Sequence, residues 1–278
     1  MPHSLTVLTR FSIVFLLSTV LLSGCGFLQT DEDDTRDWSA NKFYGKAKGS
    51  LKDGDYEEAI RLYEMLESRY PFGAYAQQAQ LEIAYAYYKY EEPDSAIAAT
   101  ERFIKMYPRH PSVDYAYYLK GLSNFTRNLG FMERYIPTDA TQRDQSAALT
   151  SFDDFSELVR RFPDSKYAED SRKRMVFLRN SVAAYEVHAA RWYLRRGAFI
   201  AAANRGREVV EKYQRTPAME DALAIMYFAY DELDMNALKA DVKRVIETNY
   251  PQHPVLYDKA TIRDYTGEKA AWWKFWDQ

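Results

Sequence analysis

The chain has one cysteine, Cys25, so no internal disulfide framework is available to it. Glycine is sparse, with 11 in 278 residues, and no long stretch alternates apolar with polar side chains, so strands are not expected. Histidine is scarcer still. His3, His110, His188 and His253 stand apart from one another, and no HExxH, GxSxG or phosphate-binding loop pattern occurs. Neither charge dominates: 37 Lys and Arg face 40 Asp and Glu, a net charge of -3. Nucleic acid would require a basic face, so it is not an expected partner. Acid pairs such as Asp153-Asp154 fall on helical stretches among basic residues and read as a solvated face. No catalytic constellation, metal site or cofactor site is expected.

What is present is apolar and aromatic. Hydrophobic residues make up 47% of the chain, ample for a packed core, and tyrosine alone occurs 23 times. Tyrosine has an apolar body and a polar tip, which suits small helices packed beside half-wet grooves.

The organising stretch is residues 44–108, which holds two copies of one pattern. The first reads Gly54-Asp55-Tyr56-Glu57-Glu58-Ala59, then Tyr63, then Arg69-Tyr70-Pro71. The second reads Glu92-Pro93-Asp94-Ser95-Ala96, then Phe103, then Met106-Tyr107-Pro108. Ala59 to Ala96 and Pro71 to Pro108 are both 37 residues apart. A fixed period of this size predicts stacked helix pairs, each burying the face its neighbour leaves bare. Proline closes each second helix because it lacks an N–H and disfavours helix in the residue before it.

Carried along the chain, the pattern predicts five pairs. Helices are expected near 39–52 and 55–70, 75–90 and 94–107, then from about 112 to 129 and from Ala148 to Phe162. The fourth pair has a long first helix, about 167–196, capped by Asp164-Ser165, and a second that ends before Pro217. The fifth covers about 218–232 and 236–249, closed by Tyr250-Pro251. Residues 130–143 are too long for an ordinary repeat turn, and loops of that length are often functional. The tail from residue 252 ends Trp272-Trp273-Lys274-Phe275-Trp276. It reads either as a cap on the last repeat or as an aromatic patch for a partner or membrane interface. Small residues, a turn glycine, spaced aromatics and a closing proline resemble the tetratricopeptide repeat. The expected fold is therefore all-α, a right-handed superhelical solenoid of about five tetratricopeptide-like helix pairs.

At the amino terminus Arg10 precedes an apolar run, residues 11–22. A dozen residues is too short to cross a bilayer core of ~30 Å but fits a signal-peptide core. The run ends in Leu22-Ser23-Gly24-Cys25, which resembles the bacterial lipobox. That resemblance implies cleavage before Cys25 and acylation there by diacylglycerol and an N-acyl chain. Gly26 stands where an aspartate would favour inner-membrane retention, so the expected location is the outer membrane, periplasmic face. The expected organisation is a signal peptide (1–24), a lipidated acidic tether (25–38), amino-terminal repeats (39–163), carboxy-terminal repeats (164–251) and the tail (252–278).

Finer motifs carry a family resemblance. They are Arg69-Tyr70-Pro71-Phe72-Gly73, Tyr85-Ala86-Tyr87-Tyr88-Lys89, Phe152-x-Asp154-Phe155, Phe177-Leu178, Tyr185-Glu186, and Arg196-Gly197-Ala198 followed by Asn204-Arg205. With the lipobox they resemble the BamD (ComL) family, lipoproteins of the outer-membrane β-barrel assembly machine. The resemblance implies a non-catalytic scaffold. Its partners would be a BamA-like POTRA and barrel protein, other Bam lipoproteins, unfolded β-barrel precursors and, through the lipid, the membrane. It puts Arg205, with Tyr185, at the POTRA contact. In tetratricopeptide stacks the first helices line the inner surface. That places Tyr44, Lys48, Tyr85, Tyr88, Lys89, Tyr115 and Tyr118 in a groove for precursor peptide, with Asn41, Lys52, Leu81 and Phe125 beside them. Aromatics flanked by lysines suit an extended peptide with aromatic side chains and a carboxylate end. A pilotin-type repeat lipoprotein for a secretin or other envelope complex is the alternative.

Overall fold

The computed structural model of the protein describes residues 35–127 and 145–257. The signal peptide, Cys25, nearly all of the tether, the 130–143 loop and the Trp-rich end of the tail lie outside the described residues. Within them there are ten α-helices and no strand.

The helices come in five pairs. They are α1 (Ala40–Asp53) with α2 (Tyr56–Arg69), α3 (Ala74–Lys89) with α4 (Pro93–Met106), and α5 (Val113–Arg127) with α6 (Ser146–Arg161). The fourth pair is α7 (Ala168–Arg195) with α8 (Phe199–Lys212), and the fifth is α9 (Ala218–Glu232) with α10 (Asn236–Asn249). A short 3-10 turn, Pro254–Leu256, follows. Each helix packs on the next in sequence, and the first helices of neighbouring pairs also touch, α1 on α3, α3 on α5 and α7 on α9. This is the packing of a tetratricopeptide-like solenoid.

Local signals set the elements. Ser39 accepts a hydrogen bond from the Lys42 amide and caps α1, and Asp55 does the same for α2 through the Glu58 amide. Inside four of the pairs the turn is one device repeated. Gly54, Glu91, Gly197 and Asp234 all take positive φ, from 55° to 84°. In each turn two amides fold back on carbonyls of the last helical turn, as Gly54 and Asp55 do on Leu51 and Ser50. The expected turn at Glu92-Pro93 is thus made one residue earlier, by Glu91.

The second helices end alike as well. Tyr70, Tyr107, Phe162, Tyr213 and Tyr250 each form the C-cap, and each donates its amide to the carbonyl four residues back. The repeated element is the aromatic. In the fourth pair it is Tyr213, followed by Gln214, so the distant Pro217 is not its counterpart. The Asp164-Ser165 cap expected on α7 is not made: Ser165 donates its hydroxyl to Asp114 at 2.6 Å and accepts from the Tyr167 amide.

Close packing uses the small residues. Ala47, Ala59, Ala84, Ala96, Ala183 and Ala202 are wholly buried. Gly121 on α5 lies against the Phe155 ring on α6, where an added Cβ would stand 2.6 Å from the ring. Gly206 on α8 meets Met226 and the Ala222 carbonyl oxygen in the same way. One core gathers α1–α5 around Phe43, Leu62, Tyr63, Leu66 and Ile83, and another gathers α7–α10 around Val187, Leu194, Leu223, Ile225 and Ile246. Phe155, Leu178 and Val182 bridge them in the middle.

The acid pair on α6 divides in two. Asp153 is exposed, but Asp154 is buried, which corrects the solvated-face expectation. Asp154 accepts from Asn124 Nδ2 at 2.7 Å and pairs with Lys120 Nζ at 3.2 Å, while Lys120 also reaches Glu101 at 2.9 Å. Burial raises the Asp154 carboxyl above its usual range despite the pull of Lys120.

Candidate functional site

Two surfaces gather the residues that the sequence singles out. The first lies on α1, α3 and α5. Tyr44 is half-buried, tilted against Tyr63 and Tyr75, with the Lys48 ammonium 5.6 Å over its ring. Tyr75 donates to Asn41 Oδ1 at 3.1 Å. Tyr85 and Tyr88 are half-buried on α3, and Lys89 is exposed at its end. Leu81 is buried with Phe103 and Ala116.

The carboxylate at the centre of this surface, Glu82, escapes the sequence reading. Burial raises the phenol pKa values of Tyr44, Tyr63 and Tyr115, and the Glu82 charge adds a smaller push in the same direction. Beside it a cavity of about 260 Å³ is lined by Gln78, Leu81, Glu82, Ser112, Asp114, Tyr115, Lys166 and Tyr167. The charge facing a ligand there is two carboxylates against one lysine. Lys48 stands by Tyr44, so the surface is basic at α1 and acidic between α3 and α5. The signal for Glu82 was available: it is four residues after Gln78, which donates to it at 3.1 Å, and three before Tyr85.

Tyr118 does structural work. It stacks on Tyr167 at 4.7 Å and 15°, and donates to Asp170 Oδ2 at 2.7 Å. Burial and that carboxylate push its phenol up to about 12. Phe125 lies against Phe177, with the Arg174 guanidinium over its ring. Together these contacts join α5 to α7, the first helices of the third and fourth pairs.

The second surface is on α7 and α8. Arg205 Nη1 donates to Glu186 Oε2 at 2.9 Å. The Arg205 side chain is 40% exposed and that of Glu186 only 11%. Hydrogen bonding by Glu186 holds the guanidinium firmly charged, with a smaller contribution from Tyr193. A guanidinium has five donors, so one bond to Glu186 leaves several for another acceptor. Tyr185 is half-buried on α7, a step of ~100° around the helix from Glu186. Tyr193, seven residues after Glu186, shares the latter's face instead.

Further along α7 an open groove of about 470 Å³ runs to α9, lined by Phe177, Asn180, Ala184, His188, Arg191 and Asp221 among others. Arg191 and Asp221 form an ion pair at 2.9 Å across it. Among the described residues no group of three or more His, Cys, Asp or Glu could hold a metal ion, and no helix is long and apolar enough to cross a membrane.

The family model YfiO, described as outer membrane lipoprotein, matches residues 36–245. A protein of Neisseria meningitidis serogroup B named outer membrane protein assembly factor BamD is 43% identical over 258 residues, covering 92% of this chain and 95% of its own. Proteins of the same name from Xylella fastidiosa strain Temecula1 and Vibrio cholerae are each 37% identical, covering 93% and 84% of this chain and 91% and 96% of their own. Matches of this extent and identity settle the family: the chain belongs to the BamD (YfiO) family.

Proposed function

We propose that the chain is a non-catalytic scaffold of the outer-membrane β-barrel assembly complex, held to the periplasmic face of the outer membrane by lipid on Cys25. The observation that carries this reading is 43% identity across 92% of the chain to a protein named for that role. In this reading the surface on α1, α3 and α5, with Tyr44, Lys48, Tyr85, Tyr88, Lys89 and Tyr115, receives extended segments of unfolded barrel precursors. Aromatic rings provide sequence-tolerant contact area, and the change from Lys48 to Glu82 and Asp114 gives the groove a polarity along which a peptide can be oriented. Tyr118 contributes by holding α5 against α7.

Arg205 and Tyr185 form the contact with a POTRA domain of the barrel-forming partner. Arginine suits this role because its planar fork matches a carboxylate in two bonds, and Glu186 fixes its orientation before the partner arrives. The carboxy-terminal pairs dock the complex while the amino-terminal pairs face its substrates.

The test is affinity capture of the full-length lipoprotein from gently solubilised outer membrane, with every co-purifying protein identified. A dominant POTRA-containing barrel protein, reduced by Arg205→Ala, is the expected result. A secretin or cell-wall enzymes in its place would overturn the reading.

A further inference from the structure

The root of the tether is fixed at one corner of the solenoid. The Arg69 guanidinium donates to the Thr35 carbonyl, and the Tyr70 hydroxyl donates to the Trp38 carbonyl at 2.8 Å. Thr35 is 7% exposed, and Trp38 packs on Phe43. The segment entering α1 is therefore latched to the end of α2. The loop that follows, Pro71-Phe72-Gly73, belongs to the same corner, and Phe72 is 91% exposed, the most exposed large apolar side chain among the described residues. Tyr70 and Tyr75 flank it, 37% and 41% exposed, their hydroxyls held by Trp38 and Asn41. Lys42 lies 4.5 Å over the Trp38 ring, and Arg36 and Asp37, one charge of each sign, are exposed just before it.

A bare phenylalanine in water has no polar tip to compensate it, and two anchored tyrosines beside it make a surface suited to a headgroup boundary. The tether's length decides the occupant. Thr35 stands ten positions after Cys25, and a chain extends at most ~3.6 Å per residue. An acylated Cys25 keeps this corner within ~36 Å of the bilayer. We propose that the Phe72 corner rests on the inner surface of the outer membrane, Phe72 entering the interfacial layer beside the acylated end. This rests on the reading of Cys25 as the lipid anchor. A single attachment at Cys25 does not by itself set the orientation of the solenoid. A second contact fixes its orientation, so that the groove on α1, α3 and α5 keeps a set angle to the membrane.

The experiment uses the full-length lipoprotein, with its acyl mass confirmed on the intact chain. With Cys25 acylated, an introduced cysteine is the only free thiol. Phe72→Cys and, as control, Glu57→Cys at the opposite end of α2, about 20 Å away, are spin-labelled and reconstituted into phosphatidylethanolamine–phosphatidylglycerol vesicles. Accessibility to oxygen is compared with accessibility to a water-soluble nickel chelate. The expected result is a shift toward oxygen at position 72 and none at 57. An acylated protein whose label at 72 stays as aqueous as that at 57 overturns the proposal and leaves the anchor standing. Shielding at 72 that appears only when the barrel partner is added also overturns it, in favour of a protein contact. A chain without acyl mass removes the anchor reading and this proposal with it.

Discussion

Arg205 on α8 donates through Nη1 to Glu186 on α7 at 2.9 Å, pairing a side chain 40% exposed with one only 11% exposed. The asymmetry matters. Glu186 spends its charge inside the fold, while the arginine still faces outward. Arg205→Ala therefore does two things: it removes the cation proposed for docking and strands a mostly buried carboxylate. We expect urea unfolding to show a loss of about 1–3 kcal/mol. Adding Glu186→Gln should restore most of that stability without restoring capture of the barrel partner. If the double variant recovers capture as well, Arg205 acts only through the fold.

Gly121 and Phe155 make a second prediction. A methyl group at 121 would stand 2.6 Å from a ring that is completely buried, so ring or helix has to move. Gly121→Ala should cost about 1–3 kcal/mol, the usual range for overpacking, and Gly121→Ala with Phe155→Leu should regain part of it. Equilibrium unfolding of both variants decides the point.

The Tyr118 phenol gives a pH prediction. Its proton is held to about pH 12 in the folded chain, against about 10 for a free tyrosine. Below pH 10 both states keep the proton and the contribution to stability is whole. As pH rises from 10 toward 12, the unfolded chain releases it while the folded chain keeps it, and stability is lost. Tyr44, Tyr63, Tyr87, Tyr115, Tyr117 and Tyr213 are shifted the same way, so the loss should be steep. Tyr118→Phe should cost about 1 kcal/mol at neutral pH, through the bond to Asp170, and make the alkaline decline shallower. Urea midpoints measured across this pH range test both statements.

The repeated turn gives the last. Gly54 and Asp234 occupy the same left-handed position in their pairs, at φ 84° and 55°. Gly54→Ala should cost about 1–2 kcal/mol, since a Cβ is strained there, and Asp234→Gly should gain up to about 1 kcal/mol by relieving the same strain. Thermal unfolding midpoints should move in opposite directions.

Much of the fold was legible in the residues because the signals are local. Ser39 and Asp55 cap helices by their own chemistry, Pro93 starts one, and the aromatic ending every second helix recurs in sequence. The fourth ending shows the limit. Proline follows the aromatic at the other four endings, and at Tyr213 the aromatic does the capping without it. Asp154 shows another limit. Next to Asp153 on one helix it reads as surface, and only the approach of Lys120 and Asn124 from α5 makes burial tolerable.

The sequence by itself determined that this chain would be a stack of helix pairs, because period, caps and turn residues act within a few positions of one another. It also carried the family, since the motifs run from Arg69 to Arg205. The tertiary structure decided which side chains meet. It placed Glu82 among the tyrosines, set Tyr118 to joining α5 and α7, paired Arg205 with Glu186 19 residues away, and tied the tether root to the Phe72 corner. Those pairings join residues on different helices, and their geometry depends on how the helices cross, which no local pattern encodes.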